Sequence, residues 1–361
     1  MDAGFAMQPQ GSTAQAVLTL AGGFPHPDLF PRQELASAFA HVVSRAECSA
    51  LQYGWPEGNA QLRGWIASRL RARGADANDD DVIVTNGAQQ AIALAVEQLV
   101  ATGRTVGVDA QTYPGALDLF RNHDIAPVVG PTEVSWIYTM PGVANPTGNG
   151  MTPATREGLL RSGAPIIADE AYAELRFDGR VDRPLLADAR DRVWHVGTFS
   201  KVVCPGLRIG WLVAPRALQG AVLRSKRDTD LQAASLAQAV MAAFLERDDY
   251  DQRLTRTRAF YAARAERFVE ALARHVPSWS FTRPEGGFSV FVQTDLDGHP
   301  ATLLASALRL GVSFDPGGLF WARRPESPSP SMRLCYSSVP DENDLEEAAR
   351  RLARLRATPL I

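Results

Sequence analysis

The chain has 361 residues and a mass of 39.1 kDa, with 45% hydrophobic and 21% charged residues. This composition can fill one or two full cores, which excludes a disulfide-held miniprotein and a disordered tail. Lysine and arginine total 37 against 40 acidic residues, a net charge of -3 that gives no general field for binding nucleic acid or anionic lipid.

The cysteines and the N-terminal segment indicate the compartment. Cys48, Cys204 and Cys335 are odd in number and far apart, without the spacing of a zinc site or a disulfide framework. Met1 to Ala16 lacks the pattern of a signal peptide, and no run approaches the roughly 18 apolar residues of a membrane span. We therefore expect a cytoplasmic protein with no metal site and no membrane or nucleic-acid partner.

From Val82 onward, short β-branched runs alternate with longer amphipathic stretches, a pattern typical of an α/β fold with a largely parallel sheet. The segment from Ala88 to Val100 is apolar on nearly every side and predicts a helix buried against that sheet, with a turn and cap at Asn86-Gly87. Seven runs predict strands: Val82 to Thr85, Thr105 to Asp109, Ile125 to Val129, Trp136 to Thr139, Pro165 to Asp169, Val193 to Gly197 and Ile209 to Ala214.

After about Pro215 the pattern changes to long helices, one of which carries an apolar stripe from Leu254 to Val276 and ends at Pro277. Shorter strands and helices follow, which predicts a smaller α+β domain. We expect residues 1–48 to form an N-terminal arm and part of that small domain. Residues 49–245 would form the large domain, and residues 246–361 the C-terminal small domain.

Lys201 lies between two predicted strands, with Thr198, Ser200 and Arg208 close to it in the sequence. A loop lysine is usually a surface charge, so the residue alone indicates little. Its neighbours supply two hydroxyls and a guanidinium, which are the donors that a dianionic phosphate requires.

Asp169 ends an apolar strand, and Tyr172 follows three residues later. Ligands of open α/β sheets bind beyond the carboxyl ends of the strands, where Asp169 is expected. An aspartate that only caps a helix is an equal alternative. Asn145-Pro146-Thr147-Gly148 is by itself a turn, whereas Gly87-Ala88-Gln89 opens a buried helix whose free backbone N–H groups suit a phosphate.

These pieces occur in one order along the chain: Gly87-Ala88-Gln89, Tyr113-Pro114-Gly115, Asn145 to Gly148, Asp169 to Tyr172, Ser200-Lys201 with Arg208, and Arg333. In that order the chain resembles the class I/II aminotransferases of the fold type I pyridoxal 5'-phosphate (PLP) enzymes, from about Leu20 to the C-terminus. The segments Ala21 to Pro25 and Leu51 to Gly58 are similar to the branch with 2-aminoadipate and aromatic aminotransferases. The resemblance implies a seven-stranded, mostly parallel large-domain sheet.

The resemblance also implies a role for each matched residue. Lys201 would bind PLP as a Schiff base and later move a proton, while Asp169 would face the pyridine nitrogen and favour its protonated form. Asn145 and Tyr172 would hydrogen-bond the phenolic oxygen, and Tyr113 would stack on the ring. Lys201, Asp169 and Tyr172 are thus the expected catalytic residues.

The phosphate and the substrate would be held by further matched residues. Gly87, Ala88, Gln89, Thr198, Ser200 and Arg208 would bind the phosphate. Tyr53 would reach it from the neighbouring subunit, which implies a homodimer with shared active sites. Arg333, assisted by Asn145, would bind the carboxylate of an amino acid or 2-oxo acid substrate, and Gly23 is also expected to bind the substrate. Without the other motifs, a surface arginine would be the simpler interpretation of Arg333.

The chain departs from the family pattern between Gly103 and Asn145, where it is shorter, and at the expected entrance of the site. Trp55 and Phe24 stand where smaller or aliphatic residues are common, which favours a hydrophobic or aromatic L-amino acid as donor. Transamination is the leading hypothesis. Another fold type I enzyme, such as a β-lyase, a cyclase or an oxidase, would use the same cofactor contacts. The effector domain of a transcription regulator would need a DNA-binding module, and only about twenty residues precede the enzyme-like segment.

Overall fold

The computed structural model describes residues 17–45, 49–323 and 330–357. The predictions on Met1 to Ala16 and on Cys48 lie outside the described residues. Ten α-helices lie within them: α1 (Arg32–Val43), α2 (Ala60–Ala72), α3 (Ala88–Leu99), α4 (Pro114–Asn122), α5 (Pro153–Arg161), α6 (Gln219–Asp230), α7 (Ser235–Leu245), α8 (Tyr250–His275), α9 (Pro300–Arg309) and α10 (Glu342–Ala353). None of these described helices is long and apolar enough to cross a membrane.

The larger sheet confirms the predicted α/β class, with seven strands in the order β2-β8-β7-β6-β5-β3-β4. Strand β8 runs antiparallel to β2 and β7, whereas the other four strand pairs are parallel, so the sheet is mostly parallel. Each strand lies within two residues of its predicted bounds: β2 (Val82–Thr85), β3 (Thr105–Val108), β4 (Ala126–Val129), β5 (Trp136–Thr139), β6 (Ile166–Asp169), β7 (Val193–Thr198) and β8 (Gly210–Val213). Ala91, Ile92 and Leu99 of α3 are buried against this sheet, as the apolar composition of that helix predicts.

The smaller sheet has five strands in the order β1-β11-β12-β10-β9. Its members are β1 (Leu18–Leu20), β9 (Ser280–Phe281), β10 (Ser289–Gln293), β11 (Val312–Pro316) and β12 (Ser331–Cys335). Strand β1 pairs in parallel with β11, so the N-terminal segment joins a sheet built from the last quarter of the chain. The segment that follows β1 passes close to strand β12, because Gly23 packs against the side chain of Arg333.

Helix α8 connects the two parts of the chain along its apolar stripe. Leu254, Tyr261, Phe268 and Leu272 are all buried at spacings of seven, seven and four residues, which confirms the predicted stripe. The Tyr261 ring packs 4.6 Å from Phe288, the residue before β10. Burying such large side chains contributes roughly 1.5–3 kcal/mol each, so this helix is a main support for the smaller sheet.

Candidate active site

Lys201 follows strand β7 and is half-buried between the two sheets. Its Nζ lies 3.3 Å from the carbonyl oxygen of Gly23 and 5.1 Å from the centre of the Tyr172 ring. Burial lowers the pKa of Lys201 from 10.5 to about 8, and the positive charge of Arg333 acts in the same direction. A large fraction of this amine is therefore neutral near pH 8, which is the form that attacks a carbonyl carbon.

Lysine is rare in this chain, which contains only Lys201 and Lys226 among its 37 basic residues. Lys226 is completely buried on α6, and its Nζ lies 2.9 Å and 3.1 Å from the two carboxylate oxygens of Asp230. Because Lys226 is held in this ion pair, Lys201 is the only lysine placed for chemistry on a ligand.

Asp169 is the last residue of β6, and its buried carboxylate lies within the electrostatic reach of Lys201. Burial raises the pKa of Asp169, whereas two hydrogen bonds and the charge of Lys201 act against that rise. The Tyr138 hydroxyl donates to Oδ2 at 2.8 Å, and the Ala171 backbone N–H donates to Oδ1 at 3.1 Å. These contacts fix the orientation of the carboxylate, and a cation placed against it would offset the cost of its burial.

Two phenols lie beside this acid. Burial raises the pKa of Tyr113 to about 12, and burial also raises the pKa of Tyr172. Both side chains are therefore neutral hydroxyl donors near neutral pH. The Tyr172 ring makes an edge contact with Phe288 at 5.2 Å, while Tyr113 immediately precedes α4.

The turn before α3 brings free backbone N–H groups close to a guanidinium. Gly87 has a φ of +84°, and a Cβ placed on it would collide with Nη2 of Arg208. Ala88 is the first residue of the helix, and Gln89 donates from Nε2 to the Gly115 carbonyl at 2.8 Å. The expected side-chain cap at Asn86 is absent, because the amide of this residue donates to Asp230 instead.

Two hydroxyls face the same turn. The Thr198 hydroxyl donates to the Ile209 carbonyl at 2.8 Å, and its oxygen lies 2.9 Å from the Ser200 hydroxyl oxygen. With the α3 N-terminus and Arg208, they make up the donor types that hold a phosphate.

Arg333 lies on β12 at the edge of this cleft. Its Nη1 donates to the side-chain oxygen of Asn145 at 2.9 Å, and its guanidinium lies 4.7 Å from the centre of the Phe320 ring. A Cβ on Gly23 would lie 3.5 Å from Nη1, so the glycine backbone packs directly against the guanidinium. The opposite edge of the guanidinium donates to Asp315 at 3.0 Å and 2.7 Å.

Tyr53 is the one predicted site residue that the single chain does not bring into the cleft. Its side chain is 78% exposed, and its backbone N–H donates to the adjacent Gln52 side chain. The nearby Trp55 and Leu51 are also exposed, at 75% and 67%.

Comparison with known families settles the class of protein. A model described as "Aminotransferase class I and II" matches residues 21–352. The chain belongs to this family. It is an enzyme of the PLP-dependent aminotransferase type, with the fold of the fold type I enzymes.

Relatives from thermophiles cover almost the whole chain. A 2-aminoadipate transaminase from Thermus thermophilus is 34% identical over 94% of this chain and 89% of its own length. Aromatic-amino-acid aminotransferase 1 from Thermococcus litoralis is 30% identical over 93% of this chain and 87% of its own length. The solved α-aminoadipate aminotransferase of T. thermophilus, complexed with N-(5'-phosphopyridoxyl)-L-leucine, is 32% identical with a TM-score of 0.85, covering 94% of this chain and 92% of that chain.

The chemical groups in the cleft of this aminotransferase match the groups of PLP. A phosphate needs several donors, and the turn at Gly87 offers backbone N–H groups beside Arg208, with no Cβ to fill the space between them. A protonated pyridine nitrogen needs a buried carboxylate, and an aldehyde needs a partly neutral amine. Asp169 and Lys201 supply these two groups within one cleft.

Two further side chains contact residues of the candidate site and were not predicted from the sequence. Tyr138 touches Asp169 from the neighbouring strand, and Asp315 touches Arg333 from the strand opposite. For Asp315 a signal existed, because it follows the apolar run Val312 to Phe314 directly. The strand continues to Pro316 in the structure, which sets Asp315 opposite Arg333.

Replacing Gly87 with alanine is expected to weaken PLP binding. The new methyl would displace Arg208, and a charge-assisted contact worth about 1.5–3 kcal/mol corresponds to a roughly 10- to 100-fold loss of affinity. Titration of the apoenzyme with PLP measures the change. Gly163→Ala is the matched control, because Gly163 also has a positive φ, +72°, but faces open space. Equal affinities in the two variants would contradict the prediction.

Proposed function

We propose that this aminotransferase takes the amino group from an L-amino acid with a hydrophobic or aromatic side chain and gives it to a 2-oxo acid. The observation that carries the proposal is the juxtaposition of the Lys201 amine, the buried Asp169 carboxylate and the Arg333 guanidinium in one cleft. The aromatic rings of Phe288 and Phe320 lie against Lys201 and Arg333, which favours an apolar substrate side chain. The names of the two relatives compared above include both an acidic and an aromatic amino acid.

Each matched residue has a proposed task. PLP, when bound, supplies an electron sink for the charge that develops at the substrate α-carbon. Lys201 would hold the cofactor covalently and, when released, carry a proton to and from the α-carbon. Asp169 would keep the pyridine nitrogen protonated, and Tyr172 with Asn145 would donate hydrogen bonds to the phenolic oxygen. Tyr113 would pack on the ring.

The remaining residues would bind the two anionic groups, the phosphate of the cofactor and the carboxylate of the substrate. Gly87, Ala88, Gln89, Thr198, Ser200 and Arg208 are proposed to hold the phosphate, which is dianionic at neutral pH. Arg333, Asn145 and the backbone at Gly23 would hold the substrate carboxylate.

The proposal is tested by the half-reaction in the absence of an acceptor. The purified enzyme, loaded with PLP, is mixed with single amino acids, nonstandard ones included, and the visible absorption band of the cofactor is followed. Conversion to the pyridoxamine spectrum, with release of the matching 2-oxo acid, supports transamination. Release of ammonia and pyruvate, or consumption of oxygen, would instead favour a β-lyase or an oxidase and would refute the proposal.

The division of the chain at residues 48/49 and 245/246 is also a proposal. In its support, strands β2 to β8 all lie between residues 49 and 245, and β9 to β12 lie between residues 246 and 361. Strand β1 belongs to the first segment and pairs with β11.

We also propose a cytoplasmic location, which agrees with the free thiols of Cys204 and Cys335.

The rate of PLP uptake by the apoenzyme should depend on pH through Lys201. Burial lowers the pKa of this amine to about 8, so its neutral, reactive fraction rises as the pH increases through 8. We expect the rate of appearance of the visible band to rise up to about pH 9 and then level off, since about 90% of the amine is neutral one unit above its pKa. Stopped-flow absorbance measures this. A rate that still climbs steeply towards pH 10.5, the ordinary pKa of lysine, would contradict the prediction.

We also propose a homodimer in which Tyr53 completes the active site of the partner subunit. The exposed Leu51, Tyr53 and Trp55 form an apolar segment that a second copy of the chain would cover. The test is subunit complementation between two defective variants, Lys201→Ala and Tyr53→Ala. If the sites are shared, mixed dimers contain one site with both residues intact and regain activity that neither variant shows alone.

The opposite result is also informative. If each site lies within one chain, mixing the variants restores nothing. Light scattering on the wild-type protein provides the accompanying measurement of mass, and a monomer at working concentrations would refute the shared site.

A further inference from the structure

Asp315 forms an ion pair with the residue proposed to bind the substrate carboxylate. It lies on β11 directly opposite Arg333 on β12. Its Oδ2 accepts from Nε of Arg333 at 3.0 Å and from Nη2 at 2.7 Å. The two side chains are only 19% and 10% exposed, so this pair is shielded from most of the solvent. The proposed roles in transamination do not use Asp315.

The same carboxylate oxygen also holds the segment that follows β1. The backbone N–H of Gly22 donates to Oδ2 of Asp315 at 3.0 Å, and the next residue, Gly23, packs on the guanidinium and accepts from Lys201. Asp315 therefore connects the N-terminal segment, the guanidinium and the cleft containing Lys201. Its loss would loosen Arg333 and the Gly22–Gly23 backbone together.

The ion pair with Asp315 leaves some N–H donors of Arg333 for a substrate. A guanidinium has five N–H donors, of which Asp315 takes two and Asn145 takes one. One donor remains on each terminal nitrogen, Nη1 and Nη2. Asp315 therefore leaves both terminal nitrogens of Arg333 able to donate to a substrate carboxylate.

The charge of Arg333 is already matched before a substrate arrives. Asp315 neutralises Arg333, and Arg208 is a second arginine whose charge acts on Lys201. The proposed phosphate would engage Arg208. An amino acid with an uncharged side chain is a net-neutral zwitterion and suits this balance, whereas a second carboxylate would meet no unpaired cation from these residues.

We propose that Asp315 is a positioning residue that also determines charge specificity: it holds Arg333 in place and makes the site prefer amino acids with uncharged side chains over those with acidic side chains. This inference rests on the proposed function, because it assumes that Arg333 binds the substrate carboxylate. It adds to that function a role for Asp315 and the exclusion of amino acids with acidic side chains. It also separates this chain from relatives whose names include an acidic amino acid.

The experiment compares L-glutamine with L-glutamate, which have nearly the same shape and differ in side-chain charge. In the wild-type half-reaction we expect kcat/KM for glutamine to exceed that for glutamate by at least about tenfold. Asp315→Asn removes the charge and keeps an acceptor oxygen for Arg333. We expect it to lower this ratio about fivefold, or by about 1 kcal/mol, mainly through a lower KM for glutamate.

The variant Asp315→Ala, compared with Asp315→Asn, distinguishes the positioning of Arg333 from the effect of the negative charge. It removes the acceptor as well, so kcat for glutamine should fall about tenfold as Arg333 loses its orientation, whereas Asp315→Asn should keep kcat within about twofold. Binding of adipate and hexanoate, followed by the absorption of the bound cofactor, gives a readout without turnover. Adipate should gain more affinity than hexanoate in Asp315→Asn. Glu157→Gln, which removes an exposed charge on α5, is the control and should change neither ratio.

The outcomes distinguish this inference from the proposed function. If the wild-type enzyme converts no amino acid, transamination itself fails. If it transaminates but prefers glutamate over glutamine, or if Asp315→Asn leaves the ratio unchanged, the role of Asp315 is refuted. The wild-type ratio tests the inference even if neither variant folds.

Discussion

Replacement of Lys201 with alanine or arginine is expected to lower the turnover of transamination by roughly 10⁴- to 10⁶-fold, the loss typical when a covalent catalyst is removed. Alanine removes the amine. Arginine keeps a positive charge near Asp169, but a guanidinium cannot form the covalent link to the cofactor aldehyde. Both variants should therefore lack the visible band of covalently bound PLP, and single-turnover kinetics with the best amino donor measures the loss.

The control for this prediction uses the unusual scarcity of lysine. Borohydride reduction of the wild-type enzyme with PLP should attach the cofactor permanently to one peptide, the one that contains Lys201. The peptide with Lys226 should remain unlabelled, because that amine is buried in its ion pair with Asp230. Label on Lys226, or activity in Lys201→Arg within tenfold of wild type, would contradict the assignment.

Replacement of Asp169 with asparagine is expected to lower the rate of the half-reaction by roughly 10²- to 10³-fold, the range for loss of one electrostatic stabiliser in a buried site. Asparagine keeps the shape of the side chain and an oxygen that accepts from Tyr138. It removes the negative charge that would hold the pyridine nitrogen protonated. Asp169→Ala should also retain some cofactor, because the phosphate contacts lie elsewhere, so cofactor content is measured beside the rate.

Tyr138→Phe provides a graded comparison for this prediction. It removes one donor at 2.8 Å from Oδ2 and leaves the carboxylate charged, so we expect about a tenfold loss of rate. A rate in Asp169→Asn equal to that of Tyr138→Phe would mean that the charge of Asp169 has no special role.

The large sheet and its core helix were predictable because local patterns determine them. The short β-branched runs begin and end within two residues of the observed strands. The apolar segment from Ala88 forms the buried helix α3. Strand β1 was missed because three residues, Leu18 to Leu20, carry almost no local signal. Its position depends on pairing with β11, nearly 300 residues away in the sequence.

The residues of the candidate site were predictable as a set from their resemblance to a family, whereas their partners were not. Tyr138 reaches Asp169 only because neighbouring parallel strands place their side chains together, a relation that one strand's sequence does not contain. Asp315 was missed because aspartate and proline are poor strand formers, so the sequence gives little sign that the strand continues beyond the apolar run Val312 to Phe314. Pairing with β12 extends that strand and creates the contact with Arg333.

The presence of only two lysines makes the protonation of the Lys201 amine directly observable. In a chain of this size, nuclear magnetic resonance spectra of side-chain amines are usually crowded. Isotopic labelling of lysine alone would give two signals here, one from the buried pair with Asp230 and one from residue 201. The second signal would report the charge of that nitrogen during a pH titration, without any substitution in the protein.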